Sequence, residues 1–207
     1  MKDPAEINIA ISRPADKILQ MAYIVYEEQK NNLIFHLLQN NSAKSILVFC
    51  STKSATKELN GKLKSGGLNV GEIHSDMDQK DRENILLQFK SKNLQILIAT
   101  DILSRGIDIE DIDMVINFDV PNDAEDYIHR IGRTARAEAE GVALTLINEK
   151  DQFKFSQIEK LLEKNVHKAK LPAFLGEAPV YDPKLKKKKK FKFKKKKTTK
   201  SFKKKKK

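Results

Sequence analysis

An α/β chain with a doubly wound parallel sheet, of the kind that carries helices on both faces, is what this sequence predicts, and three observations predict it. Short β-rich runs bounded by turn residues alternate with longer stretches of helical period. Ser45 to Cys50 is a nearly continuous apolar run, which suits a strand buried on both faces, and Gln95 to Thr100 reads as another. The residues just after several of these runs are polar, and that is where open parallel sheets gather their ligands.

In order, Gln20 to Tyr26 reads as a strand and Glu27 to Gln39 as a helix, with Leu33, Ile34, Leu37 and Leu38 at helical spacing. Ser45 to Cys50 is the strand expected at the centre. Ser51 or Thr52 caps the helix Lys53 to Ser65, which Gly66-Gly67 stops. Asn69 to His74 is the next strand, Gln79 to Lys90 a helix carrying Ile85, Leu86 and Phe89, and Gln95 to Thr100 a further strand. Asp113 to Asp119 follows as a strand, Pro121-Asn122-Asp123 as a turn, and Ala124 to Ile131 as a short helix. Val142 to Ile147 and Lys150 to Leu162 close the pattern as strand and helix. No internal repeat of fixed period accompanies this alternation, which argues against a solenoid. The expected divisions are 1–17 as an interdomain linker remnant, 18–165 as the domain, 166–183 as a linker and 184–207 as a lysine-rich tail.

The 207 residues suit one compact domain with some length to spare, and a 40% hydrophobic share can build its core. The formal charge is +12, but it is unevenly placed. From Tyr181 to Lys207 there are 17 lysines and one acid, Asp182, which leaves 23 basic against 27 acidic residues elsewhere. The body is therefore net −4 and the tail net +16. Cys50 is the only cysteine, so a disulfide scaffold is excluded and a reducing compartment expected. No apolar run approaches the roughly 18 residues of a spanning helix, and Met1 to Ala10 lacks a signal-peptide core. A soluble, cytoplasmic protein without a membrane partner is expected. His36, His74, His129 and His167 are scattered, so no structural metal is proposed.

Polar residues recur after the strands: Ser51, Thr52 and Lys53; then Ser75, Asp76, Gln79 and Arg82; then Thr100, Asp101, Ser104, Arg105, Gly106 and Asp108; the hydroxyls, helix-start amides and arginines among them are groups that hold phosphates. The plain reading of a Ser or Thr there is a helix cap, and it is recurrence on one rim that points to a ligand. The densest cluster runs from His129 to Arg136. Arg130, Arg133 and Arg136 stand at three-residue spacing, so if the first turns are helical their guanidiniums lie along one side. Such a cluster is either an exposed basic helix end or an anion site, because a guanidinium clamps two phosphate oxygens and keeps its proton.

The runs Ile98 to Asp108 and His129-Arg130-Ile131-Gly132-Arg133-Thr134-Ala135-Arg136 resemble motifs V and VI of the DEAD-box RNA helicases. Val115 to Pro121 resembles the segment that links them, Ser45 to Lys53 resembles motif IV, and His74 to Arg82 resembles the Gln-x-x-Arg segment. The resemblance covers residues 18–150 and is nearest to the bacterial RhlE-like branch. Many other superfamily 2 helicases place Gln where this chain has His129. Ala135 departs from the more usual Gly, and since Ala tolerates helix better, the arginine geometry should survive.

The resemblance implies the second of two RecA-like domains that bind ATP and RNA between them. The chain has no Gly-x-x-x-x-Gly-Lys-Thr phosphate loop and no Asp-Glu-Ala-Asp. It is therefore expected to be the C-terminal half of a longer ATP-dependent RNA helicase, inactive alone, with Mg2+ held mainly by the N-terminal lobe. The start at Met1-Lys2-Asp3-Pro4 resembles the stretch after that lobe. By resemblance, Arg133 and Arg136 reach the γ-phosphate of ATP as catalytic arginines, and Asp108 accepts ribose hydroxyls. Thr52, Gln79, Arg82, Thr100, Arg105 and Gly106 touch the RNA backbone, and His129 and Arg130 couple the arginine site to the first domain. Specific contact and ATP coupling are expected from arginines and hydroxyls on the sheet rim.

So many like charges in the tail cannot form a core, so it should be disordered when free. It reads as an electrostatic tether to RNA, with Phe191, Phe193 and Phe202 available for stacking, or else as a solubilising segment. The other function class is a non-catalytic RNA-binding or chaperone module acting through the tail. RNA, the N-terminal lobe, and ribosomal or RNA-degradation complexes are the partners considered.

Overall fold

The computed structural model describes residues 18–100, 109, 112–134 and 141–184. Expectations for 1–17 and 185–207, and for Arg105, Gly106, Asp108, Ala135 and Arg136, lie outside the described residues.

Seven described strands form one parallel sheet: β1 (Ile18–Ile24), β2 (Ile46–Cys50), β3 (Val70–Ile73), β4 (Ile96–Thr100), β5 (Met114–Asn117), β6 (Gly141–Ile147) and β7 (His167–Ala169). Their order is β3-β4-β2-β5-β6-β1-β7, with every pair parallel. The described helices are α1 (Lys30–Leu38), α2 (Lys53–Ser65), α3 (Gln79–Lys90), α4 (Ala124–Ile131) and α5 (Gln152–Leu162).

The apolar run of β2 explains why helices cover both faces. Successive side chains of a strand point to opposite sides. Ile46, Val48 and Cys50 join Leu33 and Ile34 of α1 and Leu59 and Leu63 of α2 in one cluster. Leu47 and Phe49 join Phe89 of α3 and Leu94 in another. A third core packs Tyr127 and Ile131 of α4 and Phe155 and Ile158 of α5 against Ala22, Ile24, Ala143 and Ile147. A strand flanked in this way has no solvent face, which is why its sequence shows no polar alternation.

Local chemistry fixes the helix ends. Thr52 Oγ1 accepts from Ala55 N at 3.1 Å, and Asp123 Oδ1 accepts from Asp126 N at 2.8 Å. At the other end of α2, Gly67 takes φ +82°, and the following Leu68 N donates back to Leu63 O. That left-handed turn needs glycine. Between β1 and α1 stands one 3-10 turn, Glu27–Gln29, closed by Tyr26 N donating to Gln29 Oε1 at 2.9 Å.

Residues 166–183, expected as a linker, are instead folded onto the domain. β7 pairs with Met21, Ala22 and Tyr23 of β1. Beyond it the chain returns across the sheet end. Gln29 Nε2 donates to Leu175 O at 2.7 Å, and Gln152 both donates to Val180 O and accepts from Asp182 N, each at 2.8 Å. Lys168, Glu159 and Tyr181 form a staple, with Lys168 bonded to Glu159, Tyr181 OH donating to Glu159 Oε2 at 2.9 Å, and the lysine ammonium 4.8 Å from the tyrosine ring centre. A strand reading His-Lys-Ala carries no apolar alternation, because backbone bonds and this staple hold it rather than a buried face. No described helix is long and apolar enough to cross a membrane.

Candidate functional site

The strands β2, β3 and β4 end flush. Cys50 stands opposite Thr100, and Ile73 opposite Ala99. The polar residues that follow them are therefore brought to one edge. Thr52 is spent partly on capping α2, yet it is exposed, and Lys53 Nζ reaches Asp76 Oδ1 at 2.9 Å across to the loop before α3. Lys57 approaches the same carboxylate at 3.7 Å, and the hydrogen bond from Lys53 holds Asp76 below the ordinary carboxylate pKa. Two lysines thus share one acid here.

On α3, Gln79 Oε1 accepts from Arg82 Nη1 at 3.2 Å, and Arg82 Nη2 donates to Met77 O at 3.3 Å. These bonds aim a planar fork while its buried Nε finds no partner among the described residues. His74 lies beneath, buried, accepting from Asp76 N at 3.3 Å through Nδ1. Thr52, Gln79, Arg82 and Thr100 are thus collected on the β2-β3-β4 end of the rim. Hydroxyl, amide and guanidinium groups so arranged suit phosphate and sugar oxygens.

The arginine cluster is arranged differently from the expected stripe. α4 starts at the rim and runs antiparallel to the strands, and its 8 residues at about 1.5 Å each carry the chain about 12 Å down the sheet. It ends at Ile131 with Gly132 as its cap. Arg133 follows, half-buried, with its carbonyl accepting from Ile112 N at the entry to β5. A Cβ on Gly141, which opens β6, would overlap the Thr134 carbonyl, so only glycine lets this loop approach so closely. The Arg133 backbone therefore lies at the amino end of β5, while Thr52 follows the carboxyl end of β2. His129 is exposed.

Arg130 turns inward and is 4% exposed. Its Nη1 donates to Asn117 Oδ1 and to Asp119 O, each at 3.0 Å, and its guanidinium lies 5.0 Å from the Phe49 ring centre. Asn117 in turn donates to Thr145 Oγ1 at 3.2 Å. Arg130 is thus a buried strut.

Two residues the sequence reading passed over complete this network. Asp119 accepts from Lys30 Nζ at 2.7 Å and from Ser51 N at 2.8 Å. Lys30 is fully buried; burial opposes its charge, but Asp119 and Glu27 outweigh that and raise its pKa. The rule that flagged residues after β2, β3 and β4 also points at Asp119 after β5. A lysine on a helix gives no comparable signal, since most are exposed. Cys50 sits beside this network, and burial pushes its thiol up, so it is an inert core residue.

A model of the helicase conserved C-terminal domain matches residues 29–138, just over half of the chain. The ATP-dependent RNA helicase DDX47 of Drosophila melanogaster is 38% identical over 167 residues, which is 80% of this chain and 33% of that protein. Among solved structures, a DEAD box protein from the hyperthermophile Methanococcus jannaschii shares 42% identity at TM-score 0.69, over 74% of this chain and 42% of that one. The E. coli DEAD-box protein SrmB, bound to regulator of ribonuclease activity A, shares 32% at TM-score 0.69, over 78% of this chain and 96% of that one. The chain spans 29% to 45% of the length of the curated relatives it matches, which come from eukaryotes, archaea and bacteria alike. With the seven-stranded parallel sheet and the matched residues together, the chain belongs to the helicase conserved C-terminal domain family, in the form carried by DEAD-box RNA helicases.

Proposed function

We propose that this chain works as the C-terminal lobe of an ATP-dependent RNA helicase of the RhlE-like branch, supplying arginines and RNA backbone contacts that complete sites on an N-terminal lobe. The observation that carries the proposal is the collection of Thr52, Gln79, Arg82 and Thr100 at the flush ends of β2, β3 and β4. Arg105 and Gly106 are assigned the same role by their resemblance to motif V. Contacts of this kind hold a strand by its phosphates and sugars without reading bases, so unwinding is independent of sequence.

Arg133 and Arg136 stabilise charge on the transferred phosphoryl group when the lobes close, and Asp108 receives the ribose hydroxyls. Among the described residues no three His, Cys, Asp or Glu side chains are grouped to hold a metal ion. The proposal assigns Mg2+ to the N-terminal lobe. Closure requires that ATP and RNA bind the closed state better than the open one, since a ligand indifferent to the two shifts nothing. His129, exposed on α4, is the residue proposed to touch the first lobe, and Arg130 acts from beneath it. The tail tethers RNA, the setting is cytoplasmic, and RNA-degradation complexes are candidate partners, SrmB having been solved with a regulator of ribonuclease activity.

The test is made in the two-lobed enzyme. Arg136→Ala should lower kcat for RNA-stimulated ATP hydrolysis by about 10³- to 10⁵-fold, the worth of a finger arginine, with the circular dichroism spectrum unchanged. Turnover near that of the unaltered enzyme would leave the tail-borne RNA-binding module as the better reading.

A further inference from the structure

We infer that Asp119 is a positioning residue that ties the start of α2, where RNA is proposed to bind, to the arginine-bearing end of α4. The inference rests on the helicase reading above and adds to it a physical link within this lobe.

The contacts run without a gap. The Asp119 carboxylate accepts from the Ser51 amide at 2.8 Å, one residue before the Thr52 cap. Its backbone carbonyl accepts from Arg130 at 3.0 Å, and the Arg130 carbonyl accepts from Arg133 N at 3.2 Å. The second carboxylate oxygen is held by Lys30 at 2.7 Å, and Lys30 lies 5.1 Å from the Phe118 ring centre. One side chain and its own carbonyl thus touch the RNA-side loop, the arginine helix and a buried cation.

Burial gives the arrangement its stiffness. The Lys30 side chain is fully buried and that of Asp119 is 16% exposed. Charges so placed are costly to leave unpaired, and a carboxylate in low dielectric orients its donors firmly. A shift of Ser51 when RNA seats on Thr52 is therefore felt at Asp119, and through it at Arg130, whose guanidinium is also fixed by Asn117 and Phe49. Energetic coupling between sites is carried by packed, hydrogen-bonded elements of this kind.

The experiment uses RNA-stimulated ATP hydrolysis by the full-length enzyme and amide hydrogen exchange of this chain. Asp119→Asn keeps the size of the side chain but leaves one acceptor oxygen and an NH2 group facing two donors, Ser51 N and Lys30 Nζ. It should raise the RNA concentration for half-maximal stimulation by about 2- to 30-fold, the span over which network positions modulate coupling. Exchange should quicken at residues 51–55 and 130–134 ahead of α3. Adding Lys30→Gln to Asp119→Asn supplies an acceptor for the new amide and should return the RNA requirement toward its original value. Tyr127→Phe removes another buried hydrogen bond of α4, from Tyr127 OH to Gln20 at 3.0 Å, and should lower stability without moving the RNA requirement. If Asp119→Asn changes only the amount of folded enzyme, or if Tyr127→Phe shifts the RNA requirement equally, the positioning role is overturned. An unaltered enzyme without RNA-stimulated hydrolysis would instead overturn the helicase reading, while the exchange pattern would still judge the link.

Discussion

Lys30, Cys50, Tyr127 and Tyr181 all have pKa values raised by the fold, and they set how the protein responds to base. For Cys50 and Tyr127 burial is the leading cause; for Tyr181 burial leads and the nearby Glu159 adds to it; for Lys30 burial is outweighed by Asp119 and Glu27. Each group holds its proton longer when folded than when unfolded. Stability from a raised group is complete below its unfolded pKa and is lost as pH climbs through the folded one. The unfolded values are about 8.5 for thiol, 10 for phenol and 10.4 for lysine. The urea midpoint should be level between pH 7 and 8 and fall steadily above about pH 9. A midpoint that held or rose to pH 10.5 would show that these groups are not buried as described. The same residues show the reach of sequence reasoning. Thr52 was readable as both cap and rim residue, because its neighbours in sequence determine the cap. Arg130 was not readable as buried, since a three-residue repeat describes neighbours on a helix and says nothing of which side meets the sheet.

At the scale of elements, α2, α3 and α4 lie where their capping residues and periodicity place them, at Lys53–Ser65, Gln79–Lys90 and Ala124–Ile131. Strand ends moved by one or two residues, because a strand ends where its partner's ladder ends and the partner is distant in sequence. β7 and the returning segment 170–184 were unreadable for that reason, being held by contacts to β1, α1 and α5. Their weight can be measured by truncation. A chain ending at 183 should melt with the full chain, while its RNA affinity should fall less steeply with salt, each lost phosphate contact flattening the slope by about 0.7 to 0.9. A chain ending at 165 loses the β7 ladder and five side-chain hydrogen bonds that Gln29, Gln152 and Glu159 make to residues 168–182, and should lose on the order of 5 kcal/mol or more, about 1 per hydrogen bond. Equal stability of the two truncated chains would mean that 166–183 is a linker after all.

For the whole molecule, the net charge of +12 divides into a tail of +16 and a body of −4, so non-specific attraction to RNA and the fixed contacts of the domain are separate properties. The folded body holds the proposed RNA edge at the carboxyl ends of β2, β3 and β4 and the Arg133 backbone at the amino end of β5, with the Asp119 network between them. In the proposed function such a lobe transmits and completes and has no turnover of its own. The direct measurement is steady-state ATP hydrolysis, with and without RNA, by this 207-residue chain alone and by the enzyme that joins it to an N-terminal lobe. The account predicts no hydrolysis above background for the chain alone and RNA-stimulated turnover for the joined enzyme. Robust RNA-stimulated hydrolysis by the chain alone would contradict it.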